Sequence, residues 1–78
     1  MRTKELKGER VRQGKNTTYM GNVIGKNEKT YRNKENGVTQ WTYTEARLVI
    51  EDLGLSPERA DYIFLDEGLQ IGNIAQSE

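Results

Sequence analysis

Cysteine and histidine are both missing from this chain. Their absence excludes a disulfide framework, a zinc or haem site of the Cys/His kind, a histidine general base and a thiol nucleophile. Bulky apolar residues are scarce as well, with one tryptophan, one phenylalanine and two methionines among 78 residues. No apolar run approaches the roughly 20 residues that a membrane-spanning helix needs. The opening MRTKELKGERVR is basic, but no apolar segment follows it, so it does not read as a secretory signal and a cytoplasmic protein is expected. Asn16-Thr17-Thr18 then matches the glycosylation sequon only by chance.

What is present is charge. The formal total is zero, yet residues 1–43 hold ten Lys/Arg against four Asp/Glu, a balance of +6, and residues 44–78 hold two against eight, a balance of −6. Such a division along the chain points to opposite surfaces for opposite partners. The length suits one domain, 1–78, too small to bury a large core, which leaves a homodimer open as a source of stability.

The clearest structural signals lie in residues 44–68. Thr44 reads as a helix N-cap with Glu45 behind it, and Ala46, Val49, Ile50 and Leu53 share one helical face. Gly54 closes that helix; Ser56 and Pro57 start a second, whose inward residues are Ala60, Ile63 and Phe64 and whose end is Gly68. The basic half reads as strands instead. Residues 5–13 and 17–25 are separated by turn-like Gly14, Lys15 and Asn16, and Gly8 marks a bulge between Leu6 and Val11, which stand an odd number apart. Asn36-Gly37 between residues 30–35 and 38–43 is the signature of a type I′ hairpin.

The fold expected from this order is α+β. A small antiparallel sheet of about four strands, able to close as an SH3-like barrel through KGERV and GNVIG, carries a two-helix hairpin as its lid; residues 69–78 supply a short last strand or an arm.

Two surfaces are candidates for function. In the hairpin register, Arg32, Lys34, Trp41 and Tyr43 share one face, combining cations for phosphate with rings for base stacking; Lys7, Arg10, Arg12, Lys15, Lys26 and Lys29 extend it. Against this stands the bland reading, in which Trp41 and Tyr43 are core residues. The second surface is acidic: Glu51, Asp52, Glu58, Asp61, Asp66 and Glu67, with Glu51-Asp52 and Asp66-Glu67 set against the negative ends of their helices, a placement that calls for a partner. Residues 48–65 also space their apolar positions as a helix-turn-helix does, but the acidic second helix would be repelled by phosphate. No loop has calcium-site spacing, and Gly21 to Lys26 is one residue short of a phosphate loop, so no metal or cofactor is expected.

These features describe a small non-enzymatic binding or regulatory protein whose basic β face contacts nucleic acid or a machine that holds it. The alternative is an adaptor or inhibitor, of the kind found among bacterial and phage accessory proteins, that meets a protein through its acidic helices.

Overall fold

The computed structural model describes residues 1–65. Five helices follow one another: α1 (Thr3–Arg12), α2 (Thr17–Val23), α3 (Glu28–Glu35), α4 (Tyr43–Leu53) and α5 (Pro57–Phe64). Among the described residues there is no strand. The expected α+β fold is therefore overturned, together with its SH3-like barrel and the role of the helical pair as the lid of a sheet. The expected end at Gly68 and the final strand or arm fall outside the described residues.

The correction has a local cause, since Asn and Gly punctuate helices as readily as hairpins. Asn16 and Asn27 are N-caps whose side chains accept from the backbone N–H of Tyr19 at 2.8 Å and Thr30 at 2.7 Å. Gly37 has φ +80°, but Asn36 before it sits at φ −85° and ψ 0°, whereas a type I′ turn needs positive φ at both. Gly37 N–H donates to Lys34 O at 3.1 Å and Val38 N–H to Asn33 O at 2.8 Å, the paired bonds that close a helix on a left-handed residue. Gly25 ends α2 in the same way, at φ +71°, with Lys26 N–H on Gly21 O at 2.8 Å. In α1, Leu6 is buried while Val11 is 57% exposed. A period of 3.6 residues separates them without any bulge.

The acidic half matches its reading more closely. Gly54 closes α4 at φ +65°, and Ser56 caps α5 with Pro57 in its first turn. Only the start of α4 moves: Thr42, not Thr44, is the cap. Its hydroxyl accepts from Glu45 N–H while the Glu45 carboxylate accepts from Thr42 N–H, a reciprocal box that Thr44 has no partner to form.

Leu6, Met20, Ile24, Tyr31, Val49, Leu53 and Ile63 form the core, so every helix contributes to it. Trp41 packs against this cluster from the α3–α4 connection, edge-on to Tyr31 at 5.9 Å and to Phe64 at 5.4 Å between ring centres. The backbones of α2 and the start of α3 approach each other closely. A Cβ at Gly21 would lie 3.0 Å from the carbonyl carbon and oxygen of Asn27. Glycine is thus required there for space, which lets α3 begin hard against the body of α2.

Two glycine substitutions should accordingly act in opposite directions. Gly21→Val is expected to lower stability by about 1–3 kcal/mol through overpacking. Gly8→Ala, in α1 with nothing within 4 Å of the added methyl, should raise it by about 0.5–1 kcal/mol through helix propensity. Urea unfolding midpoints measure both, and an unshifted midpoint for Gly21→Val would contradict the close approach.

Candidate nucleic-acid interface

The orientation of α3 is set from its buried side. Arg10 on α1 donates through Nε to Glu35 Oε2 at 2.8 Å and through Nη2 to Oε1 at 3.1 Å. Tyr31 OH donates to the same Glu35 Oε2 at 2.7 Å, and Arg10 Nη1 to the Lys15 carbonyl at 2.9 Å. Burial pushes the Tyr31 hydroxyl far above its ordinary pKa, and the bond to Glu35 pushes it further, so it remains a donor. Lys34, three residues after Tyr31, pairs with Glu45 of α4 at 2.8 Å and donates to Gln40 O at 2.9 Å. Tyr31, Lys34 and Glu35 are therefore the inner face of α3.

The outer face follows by helical geometry. Lys29, Arg32, Asn33 and Asn36 stand at i, i+3, i+4 and i+7; Asn33 is half-exposed and the other three are exposed. Lys26 lies exposed in the turn before them. Among the described residues neither Lys26 nor Lys29 has an ion pair. Arg32 approaches Glu28 one turn back at 3.5 Å, and Glu28 accepts a 2.6 Å hydrogen bond from Thr17 Oγ1 at the start of α2.

The residues expected to bind nucleic acid are thus separated. Arg32, Arg12 and Lys26 are exposed, Arg12 beside Glu9 at 2.7 Å. Arg10 and Lys34 are held in buried pairs, Trp41 packs on the core, and Tyr43 is half-buried in the first turn of α4. Arg32, Lys34, Trp41 and Tyr43 share no hairpin face, because residues 30–43 form the body of α3, the α3–α4 connection and the start of α4. Lys29 is exposed as expected of a surface cation, whereas Asn33 and Asn36 were missed. Their signal was Asn27 as a helix cap, after which the helical period sets Asn33 and Asn36 on the side of α3 away from Tyr31 and Lys34.

The acidic residues are dispersed too. Glu51 is exposed and paired with Arg47 at 3.0 Å. Asp52 is half-buried: Lys15 Nζ donates to its carboxylate at 3.0 Å and its carbonyl at 2.9 Å, and Tyr19 OH to its other carboxylate oxygen at 2.8 Å. Gln13 Nε2 donates to the Leu53 carbonyl at 2.8 Å. Lys15 of the α1–α2 connection and Tyr19 of α2 thereby supply the donors for the acid at the end of α4, and Gln13 meets a carbonyl there. Glu58 is exposed and Asp61 half-buried, while Asp66 and Glu67 lie outside the described residues. Those residues contain no cluster of three or more potential metal ligands and no helix long and apolar enough to cross a membrane.

Both buried pairs have measurable consequences. Arg10→Met leaves the Glu35 carboxylate buried without its cation and should cost about 3–5 kcal/mol, whereas Arg10→Met with Glu35→Leu and Tyr31→Phe, which also removes the hydroxyl that would lose its acceptor, should recover most of that loss; equal unfolding midpoints for the single and triple variants would contradict this. Burial pushes the Glu45 carboxyl up, but hydrogen bonds from Lys34 and Thr42 and the Lys34 charge outweigh it, so its pKa lies below the ordinary 4.5. A carboxyl lowered by folding stabilises fully above its unfolded value, and that stability is lost as pH falls through the folded value. Stability should therefore decline below about pH 4.5. The gap between the parent and Glu45→Gln in urea titrations should narrow over the same range, and a constant gap would exclude the pair as its source.

Comparison with protein-family models, curated proteins and solved structures finds no match for this chain. Its function must be argued from the geometry of α2 and α3.

Proposed function

We propose that this protein binds double-stranded DNA, with α3 in the major groove and α2 lying across the groove against the phosphate backbone. The observation that carries this reading is the outer stripe of α3, Lys29, Arg32, Asn33 and Asn36, on a helix packed tightly behind another. Two helices joined by a short turn containing glycine, here residues 24–27 with Gly25, are the arrangement by which many proteins present a second helix to DNA.

The side chains suit the groove. Lys and Arg donate to the acceptors of guanine, and Asn matches adenine with one acceptor and one donor. Lys26 and Lys29 add positive charge for phosphate. Binding to single strands depends instead on exposed rings that stack on bases; Trp41 is committed to the core, and the exposed rings of Tyr19 and Tyr62 are already engaged, Tyr19 by Lys15 and Asp52 and Tyr62 by Arg2 and Arg59. The pair α4 and α5 resembles this unit in spacing, yet its exposed Glu51 and Glu58 would meet phosphate unfavourably.

Fluorescence anisotropy with labelled duplexes tests the proposal. At about 50 mM salt the full chain should bind duplex DNA, and affinity should fall steeply as salt rises. Lys26→Ala should weaken binding to all sequences and reduce the salt slope by about 1, whereas Asn33→Ala should lose about 1–3 kcal/mol only on a preferred site. A folded protein that binds no duplex at low salt would rule the proposal out.

A further inference from the structure

An acid at the start of a helix meant for DNA is an anomaly, since phosphate would repel it. Glu28 is such an acid. Its Oε2 accepts from Thr17 Oγ1 at 2.6 Å and lies 3.5 Å from Arg32 Nε, while its Oε1 and the terminal nitrogens of Arg32 make no hydrogen bond among the described residues. The two side chains are 40% and 54% exposed. One free carboxylate acceptor thus stands beside one free guanidinium fork, on the flank of α3 that meets α2, where Arg32 forms the edge of the outer stripe.

We infer that Glu28 and Arg32 act together as a reader of one C·G base pair. The inference rests on the proposal that α3 enters the major groove. Across the groove edge a C·G pair presents a donor, cytosine N4, followed by two acceptors, guanine O6 and N7. Glu28 Oε1 accepts from the cytosine amine, and the Arg32 fork donates to the guanine. A T·A pair presents an acceptor, a donor and an acceptor in that order. The carboxylate then faces thymine O4, and one arm of the fork faces the adenine amine, so both side chains are mismatched. Thr17 holds the carboxylate in place from α2 before DNA arrives, which reduces the ordering needed on binding.

The acid has a second consequence. On unrelated DNA it finds no amine to accept from and remains beside phosphate, so it weakens non-specific binding more than specific binding.

Selection of duplexes from a random library, followed by affinity measurements with the full chain, tests this. The wild-type site should contain one position held as C·G, and changing it to T·A should weaken binding by about 10-fold to 100-fold. Glu28→Gln and Arg32→Ala should each relax the preference at that same position. Glu28→Gln should also bind unrelated duplex more tightly. Gln keeps an oxygen for Thr17 and the Arg32 side chain is 54% exposed, so both variants should stay folded, with unfolding midpoints close to the parent's. Parallel loss of affinity on all sequences, with every base preference intact, would overturn the inference while leaving DNA binding in place. Absence of any duplex binding by the wild type would overturn both.

Discussion

A guanidinium and a carboxylate withdrawn from water between α1 and α3 set the geometry on which the outer surface depends. Burying such ions costs several kcal/mol each, and the pair survives only where its remaining hydrogen-bonding capacity is met. Arg10 meets both oxygens of Glu35, Tyr31 donates to one of them, and the Lys15 carbonyl takes a further guanidinium proton. The demand for that whole set fixes the rotation of α3 about its own axis. With Tyr31, Lys34 and Glu35 turned inward, a period of 3.6 residues leaves Lys29, Arg32, Asn33 and Asn36 outward.

The division of charge along the chain is partly consumed by its own folding. Lys34 pairs with Glu45, Lys15 with Asp52, and Arg59 reaches back from α5 to Glu5 and Glu9 at 2.6 and 2.8 Å. Basic and acidic halves thus serve as each other's first partners. Residues 1–65 hold twelve Lys/Arg against nine Asp/Glu, a balance of +3, and the cations left without an ion pair include Lys26 and Lys29 on the α2–α3 unit. Placement on one exposed unit, more than the overall balance, is what supports the proposed contact with phosphate.

The α4–α5 pair was legible because its signals agree. Thr, Ser, Pro and Gly stand at helix boundaries, and Val49, Leu53 and Ile63 repeat with a helical period between them. The basic half was misread because its boundary residues are ambiguous: Asn36-Gly37 satisfies the local demands of a hairpin as well as those of a helix end. Helical geometry settles the matter, since Tyr31, Lys34 and Glu35, at i, i+3 and i+4, share the inner side of α3 and would scatter across both faces of a strand. Residues 30–35, TYRNKE, also contain little that a half-buried strand favours. Gly21 gave no sign in the sequence of its role, because the atoms that forbid a side chain there belong to Asn27.

By itself the sequence determined the chemistry that is excluded, the positions of the breaks in the chain, the asymmetry of charge and the existence of α4 and α5. These are composition or local backbone preference, carried by a few neighbouring residues. Only the tertiary structure decided that the breaks are helix ends, that Arg10 and Lys34 are interior ions, and that Arg32 faces outward beside Glu28. Each of the two interior cations was settled by a partner on another element, 25 residues away for Arg10 and Glu35. Such a choice depends on which surfaces the helices bury together, and no local run of residues records it.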